Sequence, residues 1–167
     1  LGNALRRVLL SSVRGAAITA VRIVGKDGPA LHEFSTLPGM VEDVTDVILN
    51  LKEVQIKADT EDPKVMRLSA TGPAVLKAGD FEFDTAIEVL NPDQHVVTLA
   101  EGGEVQMEGT VSRGVGYVPA EKNRQEDQPI DVLAIDAIFS PIRRVNYKIT
   151  NARVGQQTDY DKLTIEV

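Results

Sequence analysis

The chain has 167 residues, of which 43% are hydrophobic and 26% charged, with a formal net charge of −7 and no cysteine. This is the composition of a folded globular protein and excludes the disordered and fibrous classes. The lack of cysteine excludes disulfides and thiolate metal sites and fits a cytoplasmic setting. No apolar run approaches the roughly 20 residues of a membrane-spanning helix. The acidic balance argues against a chain that wraps nucleic acid by itself, because phosphate binding is built on clustered lysine and arginine.

The opening residues LGNALRRVLL repeat at helical spacing. Leu1, Ala4, Leu5, Val8 and Leu9 fall on one arc, with Val13 at its edge, and Asn3, Arg7, Leu10 and Arg14 line the opposite arc. No capping residue precedes Leu1, so the chain reads as a piece of a longer protein, cut at its start and, because it stops within a strand, at its end. A leucine set between two arginines gives the helix two working faces. Gly15 is the expected helix stop, and residues 17–24 read as a strand rich in β-branched side chains. A loop follows, with turn signals at Gly25, Asp27-Gly28, Pro29 and Pro38-Gly39. Val41, Val44, Ile48 and Leu51 then predict a second helix, with Glu42 and Asp43 in its first turn and Lys52 in its last, as the helix dipole favours.

From Val54 the period changes to two: Val54, Ile56 and Ala58 alternate with polar residues. Short strands are predicted at 64–70, 74–78, 86–90, 95–100 and 104–112, with Glu101-Gly102-Gly103 as a hairpin turn joining the last two. In residues 80–84, Asp80, Glu82 and Asp84 face solvent from an extended strand whose other side carries Phe81 and Phe83. After a polar loop at 125–129, Val145, Tyr147 and Ile149 alternate in one strand and Leu163, Ile165 and Val167 in another, joined by VGQQTDYD. Two helices and many antiparallel strands make an α+β protein. Basic residues gather at the ends (Arg6, Arg7, Arg14; Arg143, Arg144, Lys148, Arg153) and acidic ones in the middle (Asp80, Glu82, Asp84, Glu88, Glu101, Glu104, Glu108). That asymmetry predicts two differently charged bodies.

Chemistry is sparse. His95, with Asp93 two residues before it, is the best general base on offer, but a lone Asp-x-His without further ligands is weak and the other histidine, His32, lies far away in sequence; a polar residue at a strand start is the plainer reading. RGVGY at 113–117 has the glycines of a phosphate loop but leads toward Pro119 and a turn, so its glycines serve a bulge or a close backbone approach. Arg6 reads as an ordinary surface charge. Arg7 differs, because Asn3, Leu10 and Arg14 beside it make a mixed polar and apolar stripe with the composition of a protein contact. An unrelated small enzyme built on His95 and a generic protein-interaction domain remain the competing readings.

The segments LGNALRRVLLSS, LHEFSTLPGMVEDVTDVILNLK, RGVGYVPAE, DAIFSPIRRVNYKI and RVGQQTDYDKLTIEV resemble, in order and spacing, the amino-terminal domain of the bacterial RNA polymerase alpha subunit. The resemblance implies a cofactor-free, non-catalytic subunit of DNA-directed RNA polymerase, whose homodimer is the platform for the beta and beta-prime subunits. It leaves room for transcription activators as further partners. It implies a discontinuous dimerisation subdomain, residues 1–14 and 141–167, made of a helix and antiparallel strands, with a mostly β insert subdomain at 15–140. Leu1, Leu5, Val8 and Leu9 would meet the second alpha copy. Arg7, Leu10, Leu31, His32, Glu33, Phe34, Ser35 and Thr36 would contact beta, and Arg143 and Arg144 would lie in a further large-subunit contact. The connection GKDGPA before Leu31 is longer than the family's usual one, and the family's first strand, long dimerisation helix and DNA-binding domain have no counterpart in these 167 residues.

Overall fold

The computed structural model describes residues 1–142, 144–154 and 157–167, with the backbone alone for 152–154 and 157–160. Helix α1 (Gly2–Ser12) leads into the long strand β1 (Arg14–Gly25). A short β2 (Gly28–Pro29) and a loop precede helix α2 (Val44–Lys52). Strands β3 (Ile56–Ala58), β4 (Lys64–Thr71), β5 (Ala74–Lys77), β6 (Ile87–Val89), β7 (His95–Leu99) and β8 (Glu104–Val115) follow. The chain then makes β9 (Tyr117–Val118), the single-turn helix α3 (Ala120–Asn123), β10 (Val132–Ala134) and β11 (Ala137–Ile138). It ends in a hairpin of β12 (Asn146–Val154) and β13 (Gln157–Glu166).

The main sheet runs β4-β8-β1-β3-β6, all antiparallel. β8 pairs with β1 from Arg14↔Val115 to Gly25↔Val105, with a bulge between Ile18 and Ala20. The other edge of β1 is shared by three short strands: β3 at Ala16, β10 at Ala20–Arg22 and β2 at its end. Alternation along β8 buries Val105, Met107 and Val111 while Glu104, Gln106 and Glu108 face solvent. The buried side chains meet Met66 and Leu68 of β4, Ile18, Val21 and Ile23 of β1, and the inward face of α2: Val44, Val47, Ile48 and Leu51. Each such fully buried aliphatic chain contributes about 1.5–3 kcal/mol. The α+β class is as expected, and no helix among the described residues is long and apolar enough to cross a membrane.

Several expectations change. The helix ends at Ser12, so Val13 and Arg14 leave it, and Gly15 sits inside β1 and not at a helix stop. Helix α2 begins after Asp43, which puts Glu42 outside its first turn and leaves Val41 exposed. Residues 80–84 make no regular strand: a 3-10 turn covers Ala78–Asp80, Phe81 is buried, Phe83 is largely exposed, and Glu82 forms one isolated bridge to Arg67. The segment read as a turn after Tyr117 contains α3, with Pro119 as its N-cap. β13 begins at Gln157, so most of the expected connection between the last strands is itself strand.

The hairpin at 101–103 does not form. β7 pairs with β5 on one side, and on the other it meets residues 39–41, where the Ala100 amide donates to the Gly39 carbonyl at 2.8 Å and the Val41 amide to Thr98 at 3.0 Å. β8 is flanked by β1 and β4. With both edges of both strands taken, the turn passes the chain from one sheet to another. Gly102 takes a φ of +78° and Gly103 packs so closely on Gly39 that a β-carbon on Gly39 would stand 2.5 Å from its Cα.

Candidate functional site

The first candidate surface is built by α1 and the β12–β13 hairpin. In α1 only Gly2 is buried, because it lies under the hairpin: a β-carbon there would stand 2.6 Å from the Tyr147 ring and 3.1 Å from Leu163. Arg6 secures the same junction, its Nε donating to the Val145 carbonyl at 3.1 Å. Tyr147 pairs with Ile165 and Ile149 with Leu163, so alternation sets these four side chains on the hairpin face that meets α1. The rest of the apolar arc stays open. Leu1, Leu5 and Val8 are 96%, 37% and 53% exposed, Ile149 59% and Tyr147 42%, while Leu9 and Leu10 are half-buried. Arg7 is exposed, and its carbonyl accepts the Ser11 hydroxyl at 2.6 Å. The outer stripe shortens to Asn3, Arg7 and Leu10, since Arg14, now in β1, is held by Glu61 at 2.6 Å together with Arg113 at 2.9 Å.

The second surface is the loop at 31–36. Leu31 and Phe34 point outward, 53% and 75% exposed. His32, Glu33 and Thr36 are exposed and Ser35 half-buried, with the His32 and Phe34 rings 6.5 Å apart. The backbone is well tied for so exposed a segment. Ser35 N–H donates to the His32 carbonyl at 3.1 Å, the Thr45 hydroxyl donates to the Glu33 carbonyl at 2.7 Å, and the Val44 amide donates to the Ser35 carbonyl at 3.4 Å. The start of α2 therefore presents two apolar side chains on a preformed loop.

Of the two late arginines, Arg144 is exposed and Arg143 lies outside the described residues. Nearby, a cavity of about 520 Å³ opens between the start of β1, the end of α2 and residues 138–142; Gly15, Lys52, Val54, Ile138, Phe139 and Pro141 are among its walls. Beside it Asp136 accepts from the Ala120 amide at 2.8 Å and from Lys52 at 3.4 Å. The Ala120 hydrogen bond above all holds the Asp136 carboxyl below its usual range, against the effect of burial and with help from Tyr117 and Lys52.

His95 does not meet Asp93 as a catalytic pair. Its Nε2 donates to Glu42 Oε1 at 2.6 Å, while the Thr98 amide donates to Glu42 Oε2 at 2.7 Å and the Thr98 hydroxyl to Oε1 at 3.0 Å. Partial burial works against the Glu42 charge, and the hydrogen bonds from Thr98 and His95 overcome it, holding the carboxyl below its usual range. The His95 ring joins β7 to the residues before α2 and is absent from the walls of the large cavity. Among the described residues, no three histidine, aspartate or glutamate side chains gather as a metal site. At 113–117 the glycines serve close approach and turn: Gly114 lies against the Phe139 ring and Gly116 takes a φ of +67°.

Sequence reasoning missed Arg6, Glu42, Thr45, Tyr147 and Ile149. The alternation that assigned Tyr147 and Ile149 to a strand was the available signal for the last two. For Arg6 and Glu42 the partners are distant in sequence, and no local pattern reveals them.

Residues 21–140 match the sequence model of the family described as RNA polymerase Rpb3/RpoA insert domain. The whole chain is 58% identical to the DNA-directed RNA polymerase subunit alpha of Symbiobacterium thermophilum, 56% to that of Desulfitobacterium hafniense and 53% to that of Moorella thermoacetica. All of this chain is covered in each comparison, but only 52% of the relative, so the chain spans about half the length of these proteins. The chain belongs to the RNA polymerase Rpb3/RpoA insert-domain family and matches the amino-terminal region of bacterial RNA polymerase alpha subunits.

Proposed function

We propose that this chain is the non-catalytic assembly platform of a bacterial RNA polymerase: it pairs with a second alpha copy and the pair recruits the beta and beta-prime subunits. The observation that carries this reading is the open apolar surface of α1 and the β12–β13 hairpin, with Leu5, Val8, Tyr147 and Ile149 exposed together with Leu1. Contiguous apolar area of this kind marks a protein contact. Residues 1–14 and 141–167 form the dimerisation part and 15–140 the insert, a division supported by the packing of α1 on the hairpin. Arg7 and Leu10, with Leu31, His32, Glu33, Phe34, Ser35 and Thr36, face beta, and Arg143 and Arg144 face a large subunit. The reading is supported by the mixed exposure: apolar anchors on a tied backbone lose little conformational entropy on binding.

The test is co-purification of beta with the full-length alpha subunit, wild type against Arg7→Ala, with circular dichroism confirming that both are folded. A desolvated arginine in the contact predicts a loss of about 2–5 kcal/mol. Undiminished capture would remove Arg7 from the contact, and no capture by the wild type would count against the platform itself.

A further inference from the structure

We propose that Glu42 is a positioning residue for the 31–36 loop, acting as the clamp that fixes the loop's support onto β7. This rests on the reading that the loop contacts beta. Glu42 is part of neither α2 nor the loop; it stands between them, and its carboxylate reaches across to β7. Oε1 accepts from His95 and the Thr98 hydroxyl, and Oε2 from the Thr98 amide. The main chain on the same side is laced to β7 through Val41 N–H to Thr98 and Ala100 N–H to Gly39. Two residues past Glu42 the supports of the loop begin: the Val44 amide holds the Ser35 carbonyl and the Thr45 hydroxyl holds the Glu33 carbonyl. The order of connection is thus β7, Glu42, the first turn of α2, and the backbone of Ser35 and Glu33.

The geometry explains why a carboxylate stands at this position. The loop is exposed at Leu31, His32, Glu33, Phe34 and Thr36, so burial cannot hold it. Its order depends on the start of α2, which has no side-chain cap of its own: Asp43 occupies the N-cap position without such a hydrogen bond. An acceptor that takes three donors from β7 substitutes for that missing anchor. Charge-assisted hydrogen bonds are about twice as strong as neutral ones, and these are partly shielded from water. Removing the carboxylate would loosen the helix start and with it the loop, leaving the contact residues themselves unchanged.

The experiment uses the full-length alpha subunit with Glu42→Ala, Glu42→Gln and Phe34→Ala, reading amide hydrogen exchange over residues 31–45 and capture of purified beta. Glu42→Ala should speed exchange at Ser35, Val41 and Val44 and weaken beta capture, each about tenfold. Glu42→Gln keeps an oxygen for the Thr98 amide and should recover most of both. Unchanged exchange in Glu42→Ala overturns the clamp. Faster exchange with undiminished capture, in a series where Phe34→Ala does lower capture, overturns the positioning role. If Phe34→Ala leaves capture intact, the loop's place in the beta contact fails, and the positioning role falls with it, while the exchange data still report whether the clamp exists.

Discussion

Gly15 is seated against Phe139 so tightly that a β-carbon on Gly15 would collide with the Phe139 carbonyl oxygen. Its cross-strand partner Gly114 completes the seat: a β-carbon there would stand 2.7 Å from the Phe139 ring. Phe139 is buried, and its amide donates to the Gly116 carbonyl at 2.8 Å. Two facing glycines therefore hold the segment that leads from β11 toward the terminal hairpin.

Alanine at either position separates two effects of opposite sign. Replacing a strand glycine ordinarily gains about 0.5–1 kcal/mol through chain entropy. Overpacking costs about 1–3 kcal/mol, and more where backbone must move. At Gly15 the obstacle is a carbonyl in the main chain, so Gly15→Ala should destabilise by about 3 kcal/mol. At Gly114 the obstacle is a ring that can tilt, and Gly114→Ala should cost less. Urea unfolding of the two variants checks the order; a neutral Gly15→Ala would show that the Phe139 segment is free to move.

Arg6 and Arg7 are neighbours in different settings. Arg6 donates to the Val145 carbonyl, whereas Arg7 is exposed, its carbonyl accepting from the Ser11 hydroxyl. Arg6→Ala should lower stability by about 1 kcal/mol, the worth of one such hydrogen bond, and loosen α1 from the hairpin. Arg7→Ala should leave the unfolding midpoint in place and weaken beta capture. Equal midpoints for both variants would deny Arg6 its structural task.

The elements with strong local periodicity were legible in the sequence: α2 from Val44, Ile48 and Leu51, β8 as the strand expected at 104–112, and the terminal pair from Tyr147, Ile149, Leu163 and Ile165. What was lost was partner choice. Glu101-Gly102-Gly103 has hairpin chemistry, yet residues 39–41 occupy the edge of β7 that a hairpin with β8 would need, and that competition is decided far away in the chain. Phe81 and Phe83 alternate like a strand, but a 3-10 turn at Ala78–Asp80 precedes them and redirects the backbone. The loop at 31–36 was singled out by resemblance alone; its exposure and its supports from Val44 and Thr45 are tertiary. Glu42 looked like a dipole residue because acidic side chains suit a helix start, and its engagement with His95 and Thr98 overrides that local logic.

Two carboxylates predict the acid side of the stability profile. Glu42 and Asp136 both lie below their ordinary values of 4.5 and 3.8: Glu42 because the hydrogen bonds from Thr98 and His95 outweigh its burial, and Asp136 chiefly through the Ala120 amide. A carboxyl whose folded-state pKa is lowered binds its proton more readily when unfolded. Its contribution is therefore full above the ordinary value and is lost as pH falls through the folded one. Stability from these two groups should be level above about pH 5 and decline below it. The double variant Glu42→Gln, Asp136→Asn should be less stable at neutral pH and show a flatter acid limb. Some slope should remain from Asp84, which is lowered by the Ala86 amide and by Lys64. An unchanged acid limb in the double variant would place the loss of stability in other groups.

Ile149 offers the sharpest test of self-association. At 59% exposed it contributes little to the fold of one copy, and its neighbours on the face, Tyr147 and Leu163, already meet α1 at Gly2. Ile149→Asp places a carboxylate where an apolar partner surface would lie. In the free chain that charge is solvated and costs almost nothing; against a second copy it must be buried without a counter-ion, at several kcal/mol per ion. The full-length protein should thus keep its circular dichroism spectrum and lose its dimer in sedimentation, with self-affinity reduced at least a hundredfold if about 3 kcal/mol of that penalty is felt. Val8→Asp, on the α1 part of the same surface, should act in the same direction. A dimer that survives both substitutions would move the self-contact away from this face, and the open apolar surface would then belong to a different partner.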